Sequence, residues 1–348
     1  MVMEIDLLDA CLVWHNREHI EGADELKMMS NKQMIANESG VAPSKLAPIV
    51  LFVYNRPEHT SRTIKALKLN TLASQSDLIV YSDGAKNQAD RAKVNEVRNH
   101  LLTISGFLSV TIREAEKNLG LARSIIEGVT HVIEAFGRAI ILEDDLLVAP
   151  YFLAYMNDAL DHYAEVEHVM HVSGYMYPID HEGLTETFLL RFPSSWGWAT
   201  WRRAWSSYEK NAEFLLQTFS HDQIKRFNLE GAHDFWEQIR HNQQGKADTW
   251  AIFWYATIFK RGGYCLFPRQ TLVENIGQDG TGEHCLATDV FRSDLMLTPL
   301  SVVEIHSKES SLAYSRVHDF YKANRLGRWR RLWLVSWLRL QRYLKDMT

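Results

Sequence analysis

From residue 48 onward the apolar positions fall into short unbroken runs separated by amphipathic stretches. Residues 49–54 form a continuous β-favouring run, and Pro57 follows at a good first helical position, with Ile64, Ala66 and Leu67 on one apolar face. Residues 78–81 predict a second buried strand. A helix carrying Val94, Val97, Leu101 and Ile104 comes next, then a third strand at 109–113. Residues 121–136 read as a helix and 139–142 as a fourth strand. Strands bare of polar residues, alternating with helices, predict an α/β fold: a mostly parallel central sheet with helices on both faces and ligands at the carboxyl ends of its strands.

Beyond Pro150 the order changes to helices, short strands and Trp-rich loops, while residues 1–45 mix Met, Asn, Ser and charge without a sustained period and read as an extension with one short helix. There is no internal repeat. A composition of 46% hydrophobic and 23% charged residues over 348 positions excludes a disordered, collagen-like or coiled-coil chain. The formal net charge of −5 argues against bulk attraction to nucleic acid. Cys11, Cys265 and Cys285 match no disulfide framework or zinc spacing, which fits a reducing cytoplasm. The N-terminus lacks a basic, then apolar leader, and no window approaches the roughly 18–20 apolar residues of a membrane span. Neither G-x-G-x-x-G after the first strand nor a P-loop is present, so phosphates, if bound, are held another way.

Glu143-Asp144-Asp145 follows the fourth strand directly. Three adjacent carboxylates repel one another, and a hard divalent ion that takes one or two carboxylates plus phosphate oxygens would relieve that repulsion. An acidic loop capping the helix that starts near Pro150 explains the same residues. Other predicted strand ends carry polar groups too: Tyr54-Asn55-Arg56, Ser82-Asp83-Gly84, and Asn118-Leu119-Gly120 before the third helix. All would converge on one edge of the sheet.

With these residues the chain resembles glycosyltransferases of the GT-A fold, in particular inverting enzymes of family 2 and the related N-acetylglucosaminyltransferase I branch. Pro48-Ile-Val-Leu-Phe-Val-Tyr-Asn-Arg-Pro is similar to their first strand with its nucleotide-contacting turn, and Glu143-Asp-Asp-Leu-Leu-Val-Ala-Pro-Tyr-Phe to their metal-binding segment. The resemblance spans roughly residues 47 to 290. It implies a nucleotide site of Asn55, Arg56, Asp83 and Asp144, with Asp83 near the base or ribose and Asp144 facing the ribose. It also makes Asp145 the direct ligand of Mn²⁺ or Mg²⁺. Asp83 before Gly84 also suits an ordinary turn, and Arg56 an ordinary salt bridge.

Lys246-Ala-Asp248-Thr-Trp250 precedes a helix-like run at 251–260, where an Asp also serves as an N-cap. A W-D-D-W segment supplies the catalytic base in the resembled branch, and Asp248 with Trp250 matches its spacing. Here Ala and Thr replace the first Trp and the second Asp, and Asp234 and Glu237 are the fallback bases. Trp196, Trp198, Trp201 and Trp205 fall within ten residues. Helical spacing sends Trp201 and Trp205 to the core, whereas Trp196 and Trp198 flank Gly197 in a predicted loop and either fill the core or line the donor and acceptor pocket with Trp250. The glycine-rich run 275–285 suits a lid, and its His284 either reaches the diphosphate or metal or is an ordinary loop histidine.

Arg325 to Lys345 contains seven basic residues and no acidic one, with Trp329, Trp333, Trp337, Leu340 and Leu344 at helical spacing. A basic amphipathic helix of this kind suits an anionic membrane surface, although packing on the domain or on a partner explains it as well. The expected organisation is an extension (1–45), a GT-A domain (46–310) and a basic C-terminal amphipathic tail (311–348). The expected protein is a cytoplasmic, membrane-peripheral, metal-dependent inverting enzyme. It would move a hexosyl or N-acetylhexosaminyl group from a nucleotide diphosphate donor, UDP-linked, to a hydroxyl of a glycan or lipid-linked acceptor in polysaccharide synthesis. A noncatalytic carbohydrate-binding or assembly protein and a sugar nucleotidyltransferase are the alternatives.

Overall fold

The computed structural model describes residues 46–279, 289–303 and 308–325. Its first half alternates strand and helix: β1 (Ile49–Val53), α1 (Pro57–Lys68), β2 (Asp77–Ser82), α2 (Gln88–Leu101), β3 (Ser109–Glu114), α3 (Leu121–Phe136) and β4 (Arg138–Glu143). A short β5 (Leu146–Val148) and α4 (Phe152–His162) lead into β6 (Val169–Ser173), β7 (Thr187–Leu190) and β8 (Trp198–Trp201). Five helices follow, α5 (Arg202–Trp205), α6 (Ala212–Thr218), α7 (His221–Phe227), α8 (Trp236–Gln243) and α9 (Ala251–Lys260). Then come β9 (Tyr264–Pro268), β10 (Val273–Asn275) and α10 (Ser311–Asn324).

The eight-stranded sheet runs β3-β2-β1-β4-β8-β6-β9-β7, and β10 pairs with β5 in a separate ribbon. Every residue of β1, β6, β7 and β8 is buried, so both faces of the sheet are covered, as continuous apolar strands require. The expected parallel pairing runs through β3-β2-β1-β4 and recurs between β6 and β9. β8 runs antiparallel to both β4 and β6, and β7 runs antiparallel to β9, which makes the whole sheet mixed. The cause is the long excursion after β4, which brings the chain back through β8 in the opposite direction.

The α3 helix buries Ala122, Ile125, Val129, Val132 and Ile133 on one face and ends at Gly137, whose left-handed φ of 83° closes the last turn. Residues of α10 pack into the body, with Ala313 and Val317 fully buried and the Tyr321 hydroxyl 2.8 Å from that of Tyr177. Residues 1–45 and 326–348, which carry the expected extension and the bulk of the basic tail, lie outside the described residues. No helix among the described residues is long and apolar enough to cross a membrane.

His171 on β6 ties the second half together. The Trp254 indole N–H can only donate, so the His171 Nδ1 it meets at 3.1 Å must accept. The Ser194 carbonyl can only accept, so Nε2 at 3.1 Å carries the proton. Burial pushes the imidazole down to about 3. An unfolded histidine takes up a proton near pH 6.5 and the folded one does not, so this residue withdraws stability as pH falls from about 6.5 toward 3, by at most about 1.4 kcal/mol per pH unit. His171→Gln should therefore flatten the pH dependence of the unfolding free energy by about one proton between pH 6 and 4. Urea unfolding at several pH values measures this, and an unchanged slope would contradict the neutral, buried state.

Candidate functional site

Three parallel strands finish at one edge. Val53 pairs with Ser82 across β1 and β2, and Phe52 pairs with Glu143 across β1 and β4. The residues that leave these strands, Tyr54 to Arg56, Asp83, and Asp144 with Asp145, therefore emerge side by side. The Oδ2 of Asp144 accepts the Tyr54 amide N–H at 3.2 Å, and its carbonyl accepts the Thr63 hydroxyl of α1 at 2.8 Å. Burial raises the carboxyl pKa of both aspartates. The Asp145 charge raises that of Asp144 further, while Arg56 opposes the rise at both.

Arg56 closes this corner. Its Nη1 donates to Asp145 Oδ2 at 2.8 Å, its Nη2 donates to the Gly277 carbonyl at 3.3 Å, and Nη2 lies 3.7 Å from Asp279 Oδ1. His59 Nε2 approaches the other Asp279 oxygen at 3.2 Å. The chain reaches this position because β10 pairs antiparallel to β5, Asn275 opposite Leu146, and the Ile276 N–H donates to the Asp145 carbonyl at 2.8 Å. A Cβ on Gly277 would stand 2.0 Å from Asp145 Oδ2, so only glycine allows the segment to lie this close.

Asp83 has a different environment. Its Oδ1 accepts the N–H groups of Gly84 and Leu119 at 2.8 Å each, and its Oδ2 accepts from Asn118 Nδ2 and the Gly120 N–H at 3.0 Å each. A carboxylate has about four lone-pair sites, and all are used within the protein. Asp83 therefore brackets the loop after β2 to the start of α3. The expected direct contact with a base or ribose would need one of these bonds to open. Arg98 supports the same loops through the Ala115 carbonyl at 2.7 Å and Glu114 at 3.1 Å. Asn55 turns inward as well: its Nδ2 donates to Asp90 Oδ1 at 2.8 Å, beside the Tyr54 hydroxyl on the other Asp90 oxygen.

Trp196 is half-buried, set edge-on between Tyr175 at 4.5 Å and Phe291 at 5.8 Å. Trp198 and Trp250 are each 1% exposed and stack on one another at 5.2 Å, with His171 on the far side of Trp198. They fill the core rather than line an open pocket, because β8 lies inside the sheet rather than in a loop. Asp248 is half-buried ahead of α9 and ion-pairs with Lys210. Of the fallback bases, Asp234 is bound to Arg240 at 2.9 Å and holds the start of α8, and Glu237 lies 3.8 Å from His241. His284 lies outside the described residues.

His59, Thr63 and Asp279 were not legible as site residues. They lie next to recognisable motifs but take part through contacts that span the fold. Among the described residues no three His, Cys, Asp or Glu side chains converge to hold a metal unaided. Asp144 and Asp145 fit a divalent ion only of the kind that completes its shell with phosphate oxygens and water.

No family model matches this chain, and no curated protein matches it. Among solved structures it is similar to the mannosyltransferase PcManGT from Pyrobaculum calidifontis, in complex with GDP-Man and Mn²⁺, at 15% identity and TM-score 0.35 over 67% of this chain and 76% of that one. It is also similar to TarS of S. aureus, at 15% identity and TM-score 0.27, over 40% of this chain and 23% of that one.

Asp83→Asn separates a bracket from a ligand contact. An amide nitrogen in place of either oxygen would face two donors, so the variant should lose about 1–3 kcal/mol of unfolding free energy. Denaturant titration measures it. Full stability in the variant would return Asp83 to direct ligand contact.

Proposed function

We propose that this chain is a glycosyltransferase of the GT-A type that transfers a sugar, with inversion, from a nucleotide diphosphate donor to an acceptor hydroxyl. The observation that carries the reading is the convergence of Arg56 and the Asp144–Asp145 pair at the carboxyl edge of the parallel strands, with the 275–279 segment laid against them. Nucleotides bind at this edge of open α/β sheets. A buried carboxylate pair beside an arginine is suited to a phosphate-bound divalent ion.

In this reading Arg56 orients the diphosphate, Asp83 holds the loops beside it, and Trp196 offers an aromatic face to a sugar. Asp248 takes the acceptor proton as the new bond forms, with Lys210 as its charge partner. Mn²⁺ or Mg²⁺, held by Asp145 with Asp144, would supply charge neutralisation for the departing diphosphate. A UDP-linked hexose or N-acetylhexosamine is the donor we favour, with a glycan or lipid-linked acceptor in cell-surface polysaccharide synthesis. His284 is assigned to the diphosphate, and the basic segment 325–345 to an anionic membrane surface on the cytoplasmic side.

Incubation with UDP- and GDP-sugars, Mn²⁺ and an acceptor panel, read by NMR, tests the reading. A product of inverted anomeric configuration is expected, and no transfer or donor hydrolysis with any member would sink it. Asp145→Ala should abolish metal-dependent nucleotide binding in calorimetry and leave the fold intact. Asp248→Asn should keep nucleotide binding and lower kcat by about 10² to 10⁴. Near-normal turnover would remove Asp248 from the role.

A further inference from the structure

We propose that Arg56 is the resident counter-ion of Asp145 and makes cation binding at the acidic pair conditional on a nucleotide diphosphate. The inference rests on the glycosyltransferase reading of this edge. One guanidinium serves three groups here: Asp145 Oδ2 at 2.8 Å, the Gly277 carbonyl at 3.3 Å and Asp279 at 3.7 Å. The same carboxylate oxygen is walled on another side by the Gly277 backbone, where a Cβ would come within 2.0 Å. Oδ2 is therefore enclosed between a cation and a main chain.

A divalent ion binds a carboxylate oxygen at roughly 2.0–2.2 Å. On Oδ2 it would lie within about 4 Å of a guanidinium already at hydrogen-bond distance, and that like-charge repulsion weakens binding of the ion alone. An ion arriving alone must therefore bear that repulsion or displace Arg56 from Asp145. A diphosphate changes the balance. Its paired oxygens match the planar guanidinium fork, so Arg56 exchanges one anionic acceptor for another while the ion takes Asp145. Nucleotide and ion then strengthen each other's binding, and by linkage they do so equally.

The test titrates Mn²⁺ into the full chain, with free Mn²⁺ read by electron paramagnetic resonance, alone and with UDP or GDP. Wild type should bind Mn²⁺ weakly alone and about tenfold or more tightly with a nucleotide. Arg56→Gln should bind Mn²⁺ alone about tenfold more tightly than wild type and lose most of the nucleotide coupling. Arg56→Lys keeps the charge without the fork, so its binding of Mn²⁺ alone should stay weak. The Arg56 carbonyl, which accepts from the Thr60 N–H and hydroxyl, is unchanged in both variants, so α1 should still start there. Thermal unfolding verifies this. Arg56→Gln binding Mn²⁺ alone no better than wild type, or losing ion and nucleotide affinity in parallel, would overturn the proposal. Wild type that binds Mn²⁺ with neither nucleotide would instead overturn the reading of the site itself.

Discussion

Two adjacent carboxylates at the end of a buried strand raise each other's free energy, and the surroundings must offset that repulsion. Asp144 and Asp145 cannot move away from each other into solvent, because β4 is paired on both sides, with β1 and with β8. Compensation has to be brought to them. Tyr54 contributes a backbone N–H, Arg56 a guanidinium, and Thr63 fixes the Asp144 carbonyl from α1. Arg56 can do this because it stands just ahead of Pro57, where φ of −119° and ψ of 73° take the chain out of the strand and into the first helical turn. The β5–β10 ribbon then lays residues 276–279 over the pair. Much of the local architecture, from the start of α1 to a glycine far along the chain, is arranged around one pair of charges.

The other half of the molecule is organised by aromatic stacking. Trp198 lies between His171 and Trp250, and Trp205 and Trp254 pack against it. This layer connects the sheet to Trp250, two residues beyond Asp248 and just ahead of α9, so the position of the candidate base is set by the core and not by a free loop. Removing a buried Trp side chain of this kind typically costs about 3–5 kcal/mol, which makes the layer a firm mount for whatever Asp248 does.

The parallel half was legible because its signals are local. Strands expected at 49–54, 78–81, 109–113 and 139–142 form within one residue or so of those bounds, and the helix at 121–136 has the expected limits. Ile104 fell outside its helix, which ends at Leu101, because the chain turns there toward β3. Long-range pairing was not legible. Nothing local in Trp-Ala-Thr-Trp says that β8 inserts antiparallel between β4 and β6, and that insertion is what buries Trp198. The acidic run and the strand-end Arg were found from their residue types. The contacts of Arg56 with Gly277 and Asp279 span more than two hundred positions in sequence and left no signal beyond the glycines themselves.

Asp83 and Asp145 show why residue type alone could not divide structural carboxylates from exchangeable ones. Both follow a buried parallel strand, and burial raises the pKa of both. The donors differ. Asp83 is satisfied by three backbone N–H groups and one short amide side chain, all of them fixed by loops that the carboxylate itself holds in place. Opening the bond to Gly84 or Gly120 leaves a buried donor unpaired, which costs about 1–3 kcal/mol. Asp145 is satisfied chiefly by a guanidinium on a long side chain that can swing to another anion without disturbing the backbone. A carboxylate held by main-chain donors belongs to the scaffold, and one held by a side-chain cation can be handed over to an incoming ion.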